Sequence, residues 1–393
     1  MIGLAVAALL AIIALPVAVP PLVEGLIRSK AAEFGLSAVP RMSLGYCWRN
    51  GPGIAGSLQV KIKDSPWLVA ADFGASCSEW SAAVRMPETA FSESDPVVRT
   101  LLAKYPVTAV SNLTFSGSVA LSAKSERTFH TPVPVWSAKL PVKDFSASLM
   151  AKGKPYALAG LSVTPAARGI ADRVDITPMF LRVKSISAAG FDLEGFHASV
   201  RVSEKSVLVT EASAGFCGGQ VNLYSLFLDP KNLNTGFTLF LDDINAGEAL
   251  THVNGFSGEA SGRLHGKIKL FLREGGESVR LSDAFLYSTP GEVGKLRLSN
   301  PEPLTDNLAL AGFDDDARAN VANALTDLDY SVLRLNLRRG EGKSATLSTT
   351  VRGTATRGEV SVPVDLTLNV NGELEQLVNT SLGYSNLLKG KQK

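Results

Sequence analysis

The chain has 393 residues, of which 45% are apolar and 19% charged, with a net charge of +2. This is enough apolar material for a sizeable core and too little charge for a disordered chain. Lys and Arg are dispersed along the sequence, which excludes the basic footprint of a nucleic-acid binder.

From Ile2 to Val23 there is no charged residue; Glu24, Arg28 and Lys30 are the first charges after it. A helix of that length spans about 33 Å, enough for a hydrocarbon core of about 30 Å. Pro16, Pro20 and Pro21 fall near its end, where a membrane interface tolerates kinks. The competing reading is a cleaved signal peptide, but Leu15-Pro16-Val17-Ala18-Val19-Pro20-Pro21 is a poor cleavage site. Residues 1–36 are therefore read as a transmembrane anchor and juxtamembrane helix. Arg28 and Lys30 on the far side argue weakly against export, though long domains translocate regardless of such charges. The helical spacing of Leu22, Val23, Leu26, Ile27 and Phe34 predicts a helix that stops at Gly35.

Beyond residue 55 the apolar residues recur every second position. Examples are Leu58/Val60/Ile62, Phe145/Ala147/Leu149, Phe237/Leu239/Leu241, Ile268/Leu270/Leu272, Leu333/Leu335/Leu337 and Val360 through Val370. The residues between them are mostly polar, which predicts strands with one apolar and one wetted face. Asn50-Gly51, Asn254-Gly255, Gly275-Gly276 and Asn371-Gly372 are turn signals. Two short helices are expected: Pro96 to Lys104, capped by Asp95, and about Asp315 to Leu325, with Asp314, Asp315 and Asp316 at its start. The predicted fold is mostly β: an N-terminal transmembrane helix, then one long curved sheet, antiparallel or mixed, with a few short helices. A sandwich or closed barrel remains open. Residues 37–385 form this elongated domain and residues 386–393 a basic tail. The softest seam is the proline-rich stretch from Phe129 to Pro141.

No catalytic residue, metal site or cofactor is predicted. Gly51-Pro52-Gly53-Ile54-Ala55-Gly56 spells G-x-G-x-x-G, but no helix follows to bind a phosphate, so it reads as a turn. Ser257 misses a nucleophile elbow by one position. Asp242-Asp243 reads as a turn, since neighbours in a strand face opposite ways. The four histidines lie far apart, and the three cysteines lack C-x-x-C spacing. Cys47 and Cys77 form a disulfide if the compartment is oxidising, contributing about 3 kcal/mol; two buried thiols are the alternative. Cys217 is then odd.

Four stretches stand out: the anchor with Ala32-Glu33-Phe34-Gly35-Leu36; Gly215-Phe216-Cys217-Gly218-Gly219-Gln220-Val221; Gly258 to Asn300; and the helix near Asp316 leading into Leu328-Asp329-Tyr330-Ser331-Val332-Leu333. They resemble the AsmA/TamB-like superfamily of bridge-like lipid-transfer proteins, and within it the YdbH ("dicarboxylate transport" domain) group. The likeness is closest over residues 200–385. It implies a U-shaped groove with a lipid-lined interior, lined here by Phe237, Leu239, Leu241, Ile268, Leu270, Leu272, Leu333, Leu335, Val362, Val364 and Leu366. Roughly twenty strands at about 4.8 Å make such a groove on the order of 100 Å long. It further implies a non-enzymatic phospholipid carrier between inner and outer membranes, supporting outer-membrane lipid homeostasis. The expected location is single-pass in a bacterial inner membrane with the bulk in the periplasm. A small outer-membrane lipoprotein adding strands at the C-terminal edge is the expected partner. The alternatives are a structural or assembly factor of the outer membrane, or a membrane-tethered binder of a small solute, for which Arg280 and Arg297 are the residues to inspect.

Overall fold

The computed structural model describes the backbone of residues 2–48, 52–76, 79–104, 113–128, 133–151, 154–170, 173–188, 191–203, 206–229, 231–252, 258–273, 278–299, 315–339, 345–357 and 360–372. The side chains of residues 2–16 lie outside that description, and so do the predicted tail, the turns at 50–51, 254–255 and 275–276, and Ser257. The chain divides into two compact units, residues 1–184 with 201–203, and residues 185–200 with 204–393. The division falls near residues 184–204 and not in the proline-rich stretch, part of which is a strand.

In the first unit, helix α1 (Ile2–Glu33) covers the uncharged run. It ends as predicted at Gly35, whose φ of 68° suits glycine. The amides of Gly35 and Leu36 donate to the carbonyls of Ala32 (2.9 Å) and Ala31 (3.0 Å), which closes a Schellman motif. The chain thereby reverses into β1 (Ala38–Trp48), and the Glu24 carboxylate accepts the amide of Met42 at 2.7 Å. The helix so runs antiparallel along the edge of β1 that no described strand pairs, and covers it. Among the described residues no helix is long and apolar enough to cross a membrane; the predicted anchor rests largely on residues 2–16, whose side chains lie outside the description.

The strands that follow are β2 (Pro52–Ile62), β3 (Leu68–Ser76), β4 (Trp80–Ser92), β5 (Thr114–Arg127), β6 (Val135–Lys139), β7 (Val142–Ala151), β8 (Lys154–Val163), β9 (Ala166–Ile170) and β10 (Arg173–Ile176). Strands β1 to β5 pair in chain order. Beyond β5 the sheet branches, β6 continuing to β9 and β10 while β7 leads to β8. Residues 52–56, read as a turn, are the start of β2: Gly53 and Gly56 are there because a Cβ would meet the Ala75 carbonyl at 2.6 Å and the Ser43 carbonyl at 2.4 Å. Helix α2 (Pro96–Lys104) starts as predicted, with Asp95 accepting the amide of Val97 at 2.8 Å. Near it, Phe91, Phe115 and Phe145 pack with centroids 6.2–6.3 Å apart, and Trp67 lies 6.4 Å from Phe91.

Strands β11 (Met179–Ala188) and β12 (Phe191–Val202) lie where the chain passes between the units. The second unit contains β13 (Val207–Phe216), β14 (Gly219–Leu223), β15 (Leu226–Leu228), β16 (Thr235–Asn245), helix α3 (Ala246–Thr251), β17 (Gly258–Ser261), β18 (Arg263–Arg273), β19 (Ser278–Ser288), β20 (Gly294–Leu298), helix α4 (Asp315–Thr326), β21 (Leu328–Arg339), β22 (Ala345–Arg357) and β23 (Val360–Gly372). The pairing runs β13–β14–β16–β18–β19–β21–β22–β23, with β15 beside β13, and β17–β20 joining at β21. Every described pairing is antiparallel, as this alternation favours. Asn371-Gly372 is no turn; both residues still pair with β22. Among the described residues β23 pairs with β22 alone.

Candidate functional site

Side chains alternate across a strand, and directly opposed residues share a face. In the second unit the register therefore decides which apolar residues meet. Phe237 opposes Leu270, Leu239 opposes Ile268, Leu241 opposes Gly266, and Thr235 opposes Leu272. Ile268 opposes Ala284 and Gly266 opposes Leu286; Leu286 in turn opposes Leu335. Leu333 opposes Val351, which opposes Leu366; Gly353 and Ala355 oppose Val364 and Val362. All eleven residues predicted to line a groove thus lie on one face of this sheet. Val221, opposite Leu241, extends the face toward β13.

The face has two regions. Around Leu333 it is a dry core: Ile244, Leu264, Val351, Leu328 and Tyr330 are buried, covered by Ala246 of α3 and Leu325 of α4. Leu333 packs against both buried clusters and Val364 against one of them. Toward the other end of the strands, Phe237, Leu239, Ile268, Leu270, Leu272 and Leu335 are only half-buried; Leu241 packs against the buried cluster of Ile244 and Leu264, and Val362, opposite the buried Ala355, is exposed on β23. An apolar surface of this breadth left partly open is unfavourable in water unless something apolar covers it.

Local sequence builds the dry end. Cys217 and Gly218, with φ of 46° and 66°, form the two-residue turn between β13 and β14. A Cβ on Gly219 would meet the Asp243 carbonyl at 2.3 Å, so the turn packs against β16 where Asp242-Asp243 bulge out of register. That pair, read as a turn, is this bulge, with Asp243 at φ 57°. Arg263 clamps both pieces, donating to the carbonyls of Gly218 (3.1 Å) and Asp243 (3.0 Å). Asn245 caps α3 by accepting the amide of Gly247 at 2.9 Å. Tyr330 lies over Gly262 and Gly294, which have no room for a Cβ, and donates to the Ser261 carbonyl at 2.7 Å. Burial pushes its hydroxyl pKa upward.

The opposite face is polar. It carries Lys267, Lys269, Asp283 and Arg338 beside Phe240 and Phe285, which border a shallow concavity of about 630 Å³. His265 also points there, with Nδ1 2.8 Å from an Asp242 oxygen and Nε2 2.9 Å from the Thr289 hydroxyl. The order Asp–His–Thr has the form of a charge relay. It sits on the wetted side, though, and ties the bulge to the turn after β19, so we read it as a brace. Arg297 is paired with Asp327 (2.5 Å) and Asp329 (3.8 Å), which leaves it no bare charge for an acidic solute; Arg280 is likewise engaged. Cys217 is half-buried and its thiol is pushed up to about 11, by burial first and then by Glu248. Cys77 lies outside the described residues, and with it the pairing predicted for Cys47. Among the described residues no group of three or more His, Cys, Asp or Glu side chains is placed to hold a metal.

Strand alternation groups the eleven residues but does not single out the buried Leu264 and Val351 beside them; their partners are set by register, which only hairpin geometry and bulges fix. The first unit has a comparable face. Leu44, Gly56, Phe73, Ala82 and Ser125 oppose one another in turn, with Trp136 next, and Met42, Leu58, Val84 and Leu121 share that side.

No curated protein and no solved structure matches the chain. The family described as YdbH-like, intermembrane phospholipid transport protein YdbH, matches residues 108–387, more than half of the chain. The match begins well before residue 200, takes in the later strands of the first unit, and includes every one of the eleven apolar residues. By sequence, by strand pattern and by this match, the chain belongs to the YdbH-like family.

Proposed function

We propose that this protein moves phospholipid between the inner and outer membranes of a bacterium, without covalent chemistry, and so sustains outer-membrane lipid homeostasis. The observation that carries the reading is the half-open apolar face from Phe237 and Leu239 across Ile268 and Leu270 to Leu335. Acyl chains laid on it leave water at about 0.8 kcal/mol per CH₂, while headgroups stay wet. The family's description names phospholipid as cargo, which agrees with that chemistry. The uncharged run Ile2–Val23 serves as a single-pass inner-membrane anchor, with the bulk of the chain in the periplasm. The lipid-bearing part lies within residues 37–385. The edge of β23 that no described strand pairs suits strand addition by a small outer-membrane lipoprotein.

The test is lipid exchange between two vesicle populations of phosphatidylethanolamine and phosphatidylglycerol, with fluorescent phospholipid as tracer. The Ile268→Lys and Leu239→Asp variants lose at least ten-fold in transfer rate, whereas Lys267→Ala, on the other face, transfers normally. Equal rates in all four proteins overturn the proposal and favour an assembly factor that carries no lipid.

A further inference from the structure

One end of the first unit differs from the other in what it shows to solvent. The end holding Gly35, the turn after β2 and α2 is closed by the cluster of Trp67, Phe91, Phe115 and Phe145. The opposite end is a rim of strand termini. Along it the register places Tyr46, Ile54, Ala75, Trp80 and Arg127 in one row across five strands. Trp48 lies one turn of the pleat beyond Tyr46. Trp136, Gly169 and Val174 form a row through β6, β9 and β10 that lies two residues in from that one, level with Ser125.

Large apolar side chains there are wet. Trp48 is 82% exposed, Tyr46 51%, Ile170 57% and Val174 53%. Single exposed apolar residues need no explanation, but these sit on one edge, about 34 Å long at eight strands. The composition is that of a bilayer interface: three of the four tryptophans, a tyrosine and branched aliphatics, with Arg127, Arg168 and Arg173 among them. Tyr46, Trp48, Trp80, Trp136 and Val174 occupy the apolar face, while Ile170 and its neighbour Arg173 occupy the polar one. Ile170 thus leaves an exposed apolar side chain on the polar side of the rim, which a cargo chain on the other face does not account for.

The direction of α1 is an independent indication. Because Glu24 meets Met42 and the helix runs antiparallel to β1, the residues before Glu24 run toward the Trp48 end. By rise per residue, a helix position near residue 11 stands level with Trp48, and the apolar run continues beyond the rim for on the order of 14 Å. The uncharged segment and the aromatic rim leave the unit at the same end.

We infer that this rim docks in the headgroup region of the bilayer that holds α1, so that the apolar face of the first unit opens directly onto the lipid it receives. The inference rests on the proposed anchoring of α1. Its test uses the full chain in vesicles of phosphatidylethanolamine and phosphatidylglycerol doped with brominated phosphatidylcholine. Trp48 is made the sole tryptophan by Trp67→Phe, Trp80→Phe and Trp136→Phe. Two further chains carry Trp48→Phe as well, with Ile170→Trp on the rim or Leu140→Trp, at the far end of β6, as reference. Flotation of each chain with the vesicles is measured alongside.

The expected result is emission quenched several-fold more at Trp48 and in the Ile170→Trp chain than in the Leu140→Trp chain. Quenching at Trp48 without quenching in the Ile170→Trp chain means cargo on the apolar face and overturns docking, leaving the transport reading in place. Rim positions quenched no more than the reference, in chains that float, overturn docking and leave the anchor intact. Chains that do not float overturn both. If the multiply substituted chains fail to fold, amide exchange of the unmodified chain at Tyr46–Trp48 and Ile170 is compared with and without vesicles. Protection of both segments by vesicles is then the expected result, and unchanged exchange overturns docking.

Discussion

Two residues at the dry end of the second unit separate what packing demands from what chemistry permits. Tyr330 is 2% exposed, and its hydroxyl reaches one acceptor, the Ser261 carbonyl. Removing it in Tyr330→Phe leaves that carbonyl short of a partner and is expected to cost about 1 kcal/mol in urea unfolding. Gly294→Ala, which drives a Cβ into the Tyr330 ring at 2.2 Å, is expected to cost more than Tyr330→Phe in the same experiment, because the ring has no space to retreat. Cys217 makes a pH prediction. With its pKa raised to about 11, the thiol is neutral at pH 8, and its thiolate fraction lies roughly two orders of magnitude below that of a free cysteine. Alkylation followed by mass spectrometry should find Cys217 slow at pH 8 in the folded protein, faster as pH climbs toward 11, and ordinary in urea. Equal rates with and without urea contradict the burial that raises it. None of this was visible in the sequence. A tyrosine beside a strand start carries no sign that two distant glycines, Gly262 and Gly294, will lie under its ring.

Among the elements, the helices were legible because their signals are local. Asp95-Pro96 and the acidic residues before Arg318 mark helix starts, and Gly35 marks a stop; caps and turns act over a few residues. The strands were legible for the same reason, since alternation is local. What alternation cannot convey is which strand lies beside which, or where a bulge shifts the count. Asp242-Asp243 shows the difficulty: two adjacent acids suit a turn and a bulge equally, and the choice follows from Gly219 packing against the Asp243 carbonyl from another strand. Alternation therefore groups the eleven apolar residues strand by strand, while the split between a dry end and an open end was hidden, because it depends on where α3 and α4 settle. Helix α3 has only six residues and needs its cap more than a long helix does. Asn245→Ala, which frees the amides of Gly247 and Glu248, is expected to cost about 1 kcal/mol. Hydrogen exchange should accelerate at those amides and leave β22 unchanged.

At the scale of the whole molecule, each unit turns one face of its antiparallel sheet to apolar contacts and the other to water, and among the described residues neither unit brings together an arrangement we read as catalytic. An ordinary dry core accounts for the region around Leu328, Tyr330 and Val351, but not for the half-exposed side chains from Phe237 to Leu335. Membership in a family described by intermembrane phospholipid transport gives those side chains a partner of the right chemistry. The most direct measurement is photocrosslinking in living cells from Leu239, Ile268 and Leu335 on the apolar face and from Lys267 and Lys269 on the polar face of the same strands. The account predicts phospholipid adducts from the first three positions and none from the two lysines. Adducts from neither face, or equally from both, contradict it.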